Sequence, residues 1–361
     1  CSGPTIRRHD QTRENHNMEL LKRLTETPGV PGREERIREL ILEETAGLFE
    51  ETRVDPMGNL ICHKPPGRKP GRGRKAPAVM IACHIDEIGF YVRSIDEEGR
   101  LRIQNAGGFD TRNLFARRVL VQGKRDLLGV LNPVGRPIHL ATDEEKKKIP
   151  TIQEFFVDLC LPVRKVRELV RVGDPVTLVQ TLEALGECYS GKCLDNRVAS
   201  WIAINAVKKA GNRNTCDLYY VATVQEEVGC RGAGPSSYGI DPDIAIAVDT
   251  TLACDTPGID KADAVTRLGE GIGIKIMDTN SISDRDLVDE FVALAEKKRI
   301  PHQLEILPRG GTDAGSMQRT AAGRRAITLS VPVRYIHTVT ETCHSADLKA
   351  GVDLLAAYLT K

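Results

Sequence analysis

Apolar residues change their spacing along the chain, and each change predicts a different kind of element. Between about Arg33 and Leu48, the residues Ile37, Leu40, Ile41 and Leu48 fall on one face behind Pro28, Gly29, Pro31 and Gly32. That pattern predicts a helix with a punctuated start. Asn59–Cys62 reads as a strand, and Ala78–Cys83 runs without a polar interruption, as a strand buried on both faces does. From about Gly89 to Gln180 the helical period disappears. Phe90–Ser94, Leu101–Gln104, Arg118–Gln122, Gly129–Leu131 and Pro175–Val179 predict short strands, with helical turns near Thr151–Val157 and Val163–Leu169. After Asp195 strands and helices alternate. Val198, Trp201, Ile202, Asn205 and Ala206 share a helix face. Leu218–Val224, Ile244–Val248, Ile272–Ile276 and Ala326–Val331 predict strands, and Asp284–Lys297 and Ser345–Leu359 predict helices.

The first and last thirds share this α/β character and the middle does not. The simplest organisation is an α/β domain with a largely parallel sheet, built from residues 18–88 and 181–361, and interrupted by a β-rich insertion at 89–180. Residues 1–17 are polar and unpatterned and are expected to be a tail. Residues 63–76 carry six basic residues, no acid, three Pro and three Gly. They read as a solvated hairpin tip, because no aromatics interleave the charges.

At 361 residues the chain is long enough to bury a core without disulfide or metal staples. Charge narrows the function classes: 51 basic against 50 acidic residues gives +1, which argues against a surface tuned to polyanions. Aromatics at 4% argue against a stacking platform for single strands. No apolar run approaches the roughly 18 residues of a membrane helix. Ten cysteines include no Cys-x-x-Cys pair, and several sit in apolar runs. Buried free thiols, and with them a reducing, cytoplasmic setting, are expected. The chain opens on Cys1 rather than Met, and no signal-peptide pattern is visible.

The candidate chemistry lies at strand ends, where open α/β sheets bind ligands. His84 and Asp86 follow the strand ending at Cys83. Asp195 stands at a helix mouth. Glu226 and Glu227 follow the strand ending at Val224. Asp249 follows Ile244–Val248, and His337 follows Arg334-Tyr335-Ile336. Any one of these has an ordinary structural explanation, such as an N-cap or a solvated loop. Two His and several carboxylates converging would repel one another unless a cation sat among them. Mixed nitrogen and oxygen donors suit Zn²⁺, Co²⁺ or Mn²⁺.

Six blocks, in order, carry a resemblance. They are His84-Ile85-Asp86-Glu87-Ile88-Gly89-Phe90, Leu194-Asp195-Asn196-Arg197, and Thr223 through Ala233 (Thr-Val-Gln-Glu-Glu-Val-Gly-Cys-Arg-Gly-Ala). The others are Val248-Asp249 with Asp255-Thr256-Pro257-Gly258, Gly310 through Gly315, and Pro332 through His337. From about residue 18 onward the chain resembles the M42 family of dinuclear metallo-aminopeptidases. The resemblance implies a phosphorylase/hydrolase-like catalytic domain with helices on both faces, and a PDZ-like or barrel-like insertion that drives dimerisation, with dimers assembling into tetrahedral dodecamers. It implies two divalent ions per subunit, with Asp195 bridging, His84 and Asp249 completing one site, and Glu227 and His337 the other. Glu226 is then the general base, and Asp86 holds the far nitrogen of His84. Thr312 and Asp313 are candidates for the subsite that receives the substrate amine.

The implied reaction is hydrolysis of the N-terminal bond of short peptides. A deacylase or carboxypeptidase-like amidohydrolase acting on N-blocked substrates could use the same residues. A silent scaffold binding an anionic partner through residues 63–76, or a glycosidase using Glu226 and Glu227, would leave two His at ligand positions without a role. Three departures from the family pattern stand out: Asn196 where many relatives have a second Asp, Cys83 and Cys254 where small residues are usual, and a longer basic segment at 63–76.

Overall fold

The computed structural model describes residues 18–68 and 75–361. The expected tail at 1–17 lies outside the described residues, as do residues 69–74 of the basic stretch.

In the α/β part, helices α1 (18–26) and α2 (Glu35–Glu44) precede β1 (Glu51–Val54), β2 (Leu60–Lys64) and β3 (Ala78–His84). The insertion supplies β4 (Gly89–Ile95), β5 (Leu101–Ala106), β6 (Arg117–Gln122), β7 (Asp126–Pro133), α3 (Asp143–Lys147), β8 (Phe155–Asp158), α4 (Val163–Leu169) and β9 (Pro175–Leu178). The chain then returns through β10 (Glu183–Leu185), β11 (Cys188–Gly191), α5 (Leu194–Ala210), β12 (Asp217–Thr223), α6 (Ala233–Ile240) and β13 (Ile244–Leu252). It closes with β14 (Ile272–Met277), α7 (Arg285–Lys298), β15 (His302–Ile306), α8 (Asp313–Gln318), β16 (Arg325–Arg334), β17 (Glu341–His344) and α9 (Ser345–Leu359).

The large sheet runs β1-β2-β12-β3-β13-β16-β17-β11-β10, with β14 and β15 branching from β16. Its centre, β12-β3-β13-β16, is parallel, as is the outlying β14-β15 pair, and the other pairings are antiparallel. β3 is buried at every residue, as its unbroken apolar text requires. One sheet face packs on α2, α5, α7 and α9 through Ile37, Ile202, Phe291 and Leu355, and the other on α6 and α8 through Ala233 and Met317.

Strands β4-β5-β8-β7-β6-β9 close into an antiparallel barrel with its own core of Phe90, Ile103, Val119, Leu131, Phe155 and Val176. Arg36 on α2 holds Asp126 on β7 through two hydrogen bonds of 2.8 Å and so ties the barrel to the α/β part.

Two local readings are corrected. The helical turn expected at Thr151–Val157 is a single 3₁₀ turn, Ile152–Glu154, followed by β8. Phe155 and Val157 alternate inward, so the apolar residues follow the period of a strand. Strands β2 and β3, which flank residues 65–77, do not form the expected hairpin either. β2 and β3 do not pair, because β12, from far along the chain, lies between them.

Candidate metal centre

The parallel centre of the sheet ends where the charged residues begin. Register places Thr223, the last residue of β12, beside His84, the last residue of β3. β13 pairs with β3 up to Ala247–Ala82, so Asp249 emerges two residues on, at the level of His84. Asp195 lies in the first turn of α5 but keeps an extended backbone (φ −79°, ψ 103°), following Cys193 in the left-handed region. His337 projects from the β16–β17 connection, also with positive φ.

These side chains converge. His84 Nε2 lies 3.3 Å from Asp195 Oδ1 and 3.6 Å from Asp249 Oδ1. His337 Nε2 lies 3.5 Å from Asp195 Oδ2 and 3.2 Å from Glu227 Oε2. Asp195 therefore turns one oxygen to each imidazole. Glu226 Oε2 stands 3.8 Å from His84 Nε2. His84 is 2% exposed and His337 34%, so the centre opens on the His337 side. It opens into a cavity of about 550 Å³ whose far wall includes Lys275, Arg309, Gly310, Gly311 and Arg319.

Two buried carboxylates brace the backbone beneath these side chains. Asp86 accepts from the backbone N–H groups of Glu226 and Glu227, both at 3.0 Å. Glu341 accepts from the N–H of Asp195 at 2.9 Å and of His337 at 2.8 Å. Asn59 fastens the loop that carries Glu226: it accepts from Val224 N–H and donates to Gly232 O. Gly232 is required there, since a Cβ would lie 2.3 Å from Asn59 Oδ1 and 2.5 Å from Val224 O.

Burial and crowding set the protonation. Burial lowers the His84 pKa, but Glu226, Asp195 and Asp249 outweigh it and leave the imidazole well above its ordinary value. Burial also opposes the His337 charge, yet Glu227 and Asp195 push it up to about 12. Burial raises Glu226 strongly, with Asp249 and Glu227 adding to the rise. Asp195 is lowered despite burial, because both imidazoles hydrogen-bond to it.

The donor set fits divalent cations. Donors about 2.0–2.1 Å from a tetrahedral ion are about 3.3 Å apart, and the spacings here run from 3.2 to 3.6 Å. Donor atoms of His84, Asp195 and Glu227 all lie within 4.8 Å of one another. Glu227 Oε1 is buried with no hydrogen-bond partner.

Several expected contacts differ. Asp86 Oδ1 is 3.6 Å from His84 Nδ1, too far for a hydrogen bond, because the Glu226 and Glu227 amides hold the carboxylate. His84 Nδ1 faces the Asp86 backbone carbonyl at 3.3 Å instead. Thr312 and Asp313 turn inward: Thr312 caps α8 and bonds Thr328, and Asp313 accepts from Thr223 at 2.5 Å. Neighbouring Gly310 and Gly311 form the cavity wall. Asp255 is paired with Arg334 at 2.6 and 2.7 Å. Asn196 donates to Val248 O. Cys83 is fully buried, and burial raises its thiol well above the ordinary value. Sequence reasoning missed Glu341 and Asn59, whose bonds reach atoms on other elements and leave no periodic trace, and Cys230, which bonds Glu226 within its own loop.

The family described as M42 glutamyl aminopeptidase matches residues 58–354. A lysyl aminopeptidase from Pyrococcus furiosus is 33% identical over 347 residues, covering 94% of this chain and 96% of its own. The solved TET aminopeptidase of a marine-sediment Thaumarchaeota archaeon superposes with a TM-score of 0.90 at 29% identity, covering 97% of each chain. The Pyrococcus horikoshii TET1 peptidase, described as assembling into a tetrahedron or a large octahedral shell, gives a TM-score of 0.83 at 32% identity, over 96% of this chain and 99% of its own. Fold, motif order and near-complete coverage agree, and the chain belongs to the M42 peptidase family.

Proposed function

We propose that this protein is a dinuclear-metal aminopeptidase that removes the N-terminal residue from short peptides. The observation that carries the reading is the division of donors about Asp195. Oδ1 faces His84, whose Nε2 also faces Asp249, Oδ2 faces His337, whose Nε2 also faces Glu227, and Glu226 stands beside His84. In this reading His84, Asp195 and Asp249 hold one cation, and Asp195, Glu227 and His337 hold the other, with Zn²⁺ or Co²⁺ preferred and Mn²⁺ accepted. Such a pair supplies Lewis acidity, making water a stronger acid and polarising a carbonyl. Glu226 takes the proton from the attacking water and returns it to the leaving amine. Asp86 and Glu341 are positioning residues, since they hold the backbone of the side chains that act.

The barrel is the proposed self-association module, for dimers and, by likeness to shell-forming relatives, a tetrahedral dodecamer. Exposed Leu128 and Val130 on β7, and Val134, Ile138 and Leu140 beyond it, support that role. The proposed setting is the cytoplasm. Nine described cysteines are free, and among the described residues no helix is long and apolar enough to cross a membrane.

The test is a panel of free and N-acetylated short peptides, with enzyme stripped of metal and reloaded with Zn²⁺, Co²⁺ or Mn²⁺, and Glu226→Gln as control. Metal-dependent cleavage of the free peptides alone, lost in the variant, is expected. Cleavage of acetylated peptides would move the protein to the amidohydrolase reading.

A further inference from the structure

Glu226 shows its two carboxylate oxygens to different neighbours. Oε2 lies on the side of His84, at 3.8 Å. Oε1 accepts from the thiol of Cys230 at 3.2 Å. Beyond it a carboxylate oxygen of Asp313 completes a second group, in which one donor atom each from Glu226, Cys230 and Asp313 lies within 4.8 Å of the other two. Asp313 is 2% exposed. Its Oδ2 is taken by the Thr223 hydroxyl, and its Oδ1 is buried without a hydrogen-bond partner. Cys230 is held in the left-handed region (φ 51°), with the Asn280 amide 3.7 Å from its sulfur. A thiol and a second carboxylate, the latter with an unsatisfied buried oxygen, thus meet the carboxylate of the proposed base. An unpaired buried acceptor costs free energy that a ligand at that oxygen would recover.

We propose that Glu226, Cys230 and Asp313 form a third divalent-cation site, selective for thiophilic cations such as Zn²⁺ in excess or Cd²⁺, and that filling it inhibits hydrolysis. Carboxylates alone would favour hard cations, and the thiolate shifts the preference to soft ones. Binding forms a sulfur–metal bond, breaks the S–H bond of Cys230 and releases the proton to solvent, with no change of oxidation state. The cation also takes Glu226 Oε1, so the carboxylate can no longer accept and return a proton. The inhibitory half rests on Glu226 being the general base; the site itself does not.

The experiment adds Cd²⁺ to enzyme already loaded with two equivalents of Zn²⁺, following thiolate-to-cadmium charge-transfer absorption and peptide hydrolysis together. The five donors of the dinuclear centre include no sulfur, so the band reports a cysteine. Wild type and Cys83→Ala are expected to gain the band with one further equivalent, and to lose activity on the order of 10²-fold. Cys230→Ala and Cys230→Ser are expected to show no band and to resist inhibition relative to their own two-equivalent rates, with circular dichroism confirming their fold. A wild type without the band, or a band that persists in both Cys230 variants, would overturn the site. A band without loss of activity would overturn the inhibition. A band in an enzyme that cleaves no peptide with any metal would support the site while contradicting the proposed function.

Discussion

Asp195 is the residue on which the centre turns, because its two oxygens face the two imidazoles. Glu226 beside it makes a different contribution, and the two are separable. Glu226→Gln is expected to lower kcat on the order of 10²–10⁴-fold while leaving the metal content unchanged, which steady-state rates and metal analysis together would check. Glu341 acts one step back. Its loss in Glu341→Ala frees the N–H groups of both Asp195 and His337, and metal affinity should fall about 10–100-fold, as for other outer partners; competition with a chelator measures it. The side chains that face the proposed metals were legible in the sequence, because each follows a strand or opens a helix within a short motif. Glu341 was not, because its bonds go to backbone amides of distant residues that carry no side-chain signature. Asp86 was legible as a participant and not as to its partner, since the nearest donors are the Glu226 and Glu227 amides rather than the imidazole.

At the scale of elements, strands with unbroken apolar text were the easiest to foresee: β3 and β13 are buried almost throughout. β8 was misread because it is four residues long and follows a Thr-x-x-Glu turn that begins as a helix does. The crossover after β2 was misread because the strand that separates β2 from β3 lies some 150 residues further on. The loop after β12 depends on close approach. Gly232→Ala should destabilise the protein by about 1–3 kcal/mol, read as a shift in denaturant midpoint, since the added Cβ meets Asn59 and the Val224 carbonyl. Glu34, at the start of α2, accepts from Gly32 and Gln225 N–H. Burial, with the Asp86 charge behind it, raises its pKa from 4.5 to about 7. Between those values the folded protein holds a proton that the unfolded chain has released, so stability falls as pH rises through that window. The loss by pH 8 is on the order of 3 kcal/mol at most. Glu34→Gln should therefore narrow the difference in Tm between pH 5 and pH 8.

The whole molecule is two cores joined by one continuous chain, a sheet that carries the charged centre and a barrel inserted between β3 and β10. The interruption was visible in the sequence as a loss of helical period, whereas closure of the barrel was not, because closure depends on β4 pairing with β9 across the full insertion. The barrel leaves Leu128, Val130, Ile138 and Leu140 exposed. Replacing Leu128 and Val130 by Glu is expected to shift the protein from oligomer to smaller species in sedimentation velocity, with the barrel still folded, because both side chains point away from its core. The central claim is that Asp195 is shared between two cations. The most direct measurement is anomalous diffraction from crystals of the Zn²⁺-loaded protein. Two peaks are predicted, flanking Asp195, one among His84, Asp195 and Asp249 and one among Asp195, Glu227 and His337. A single peak, or peaks that leave either oxygen of Asp195 without a metal, would contradict it.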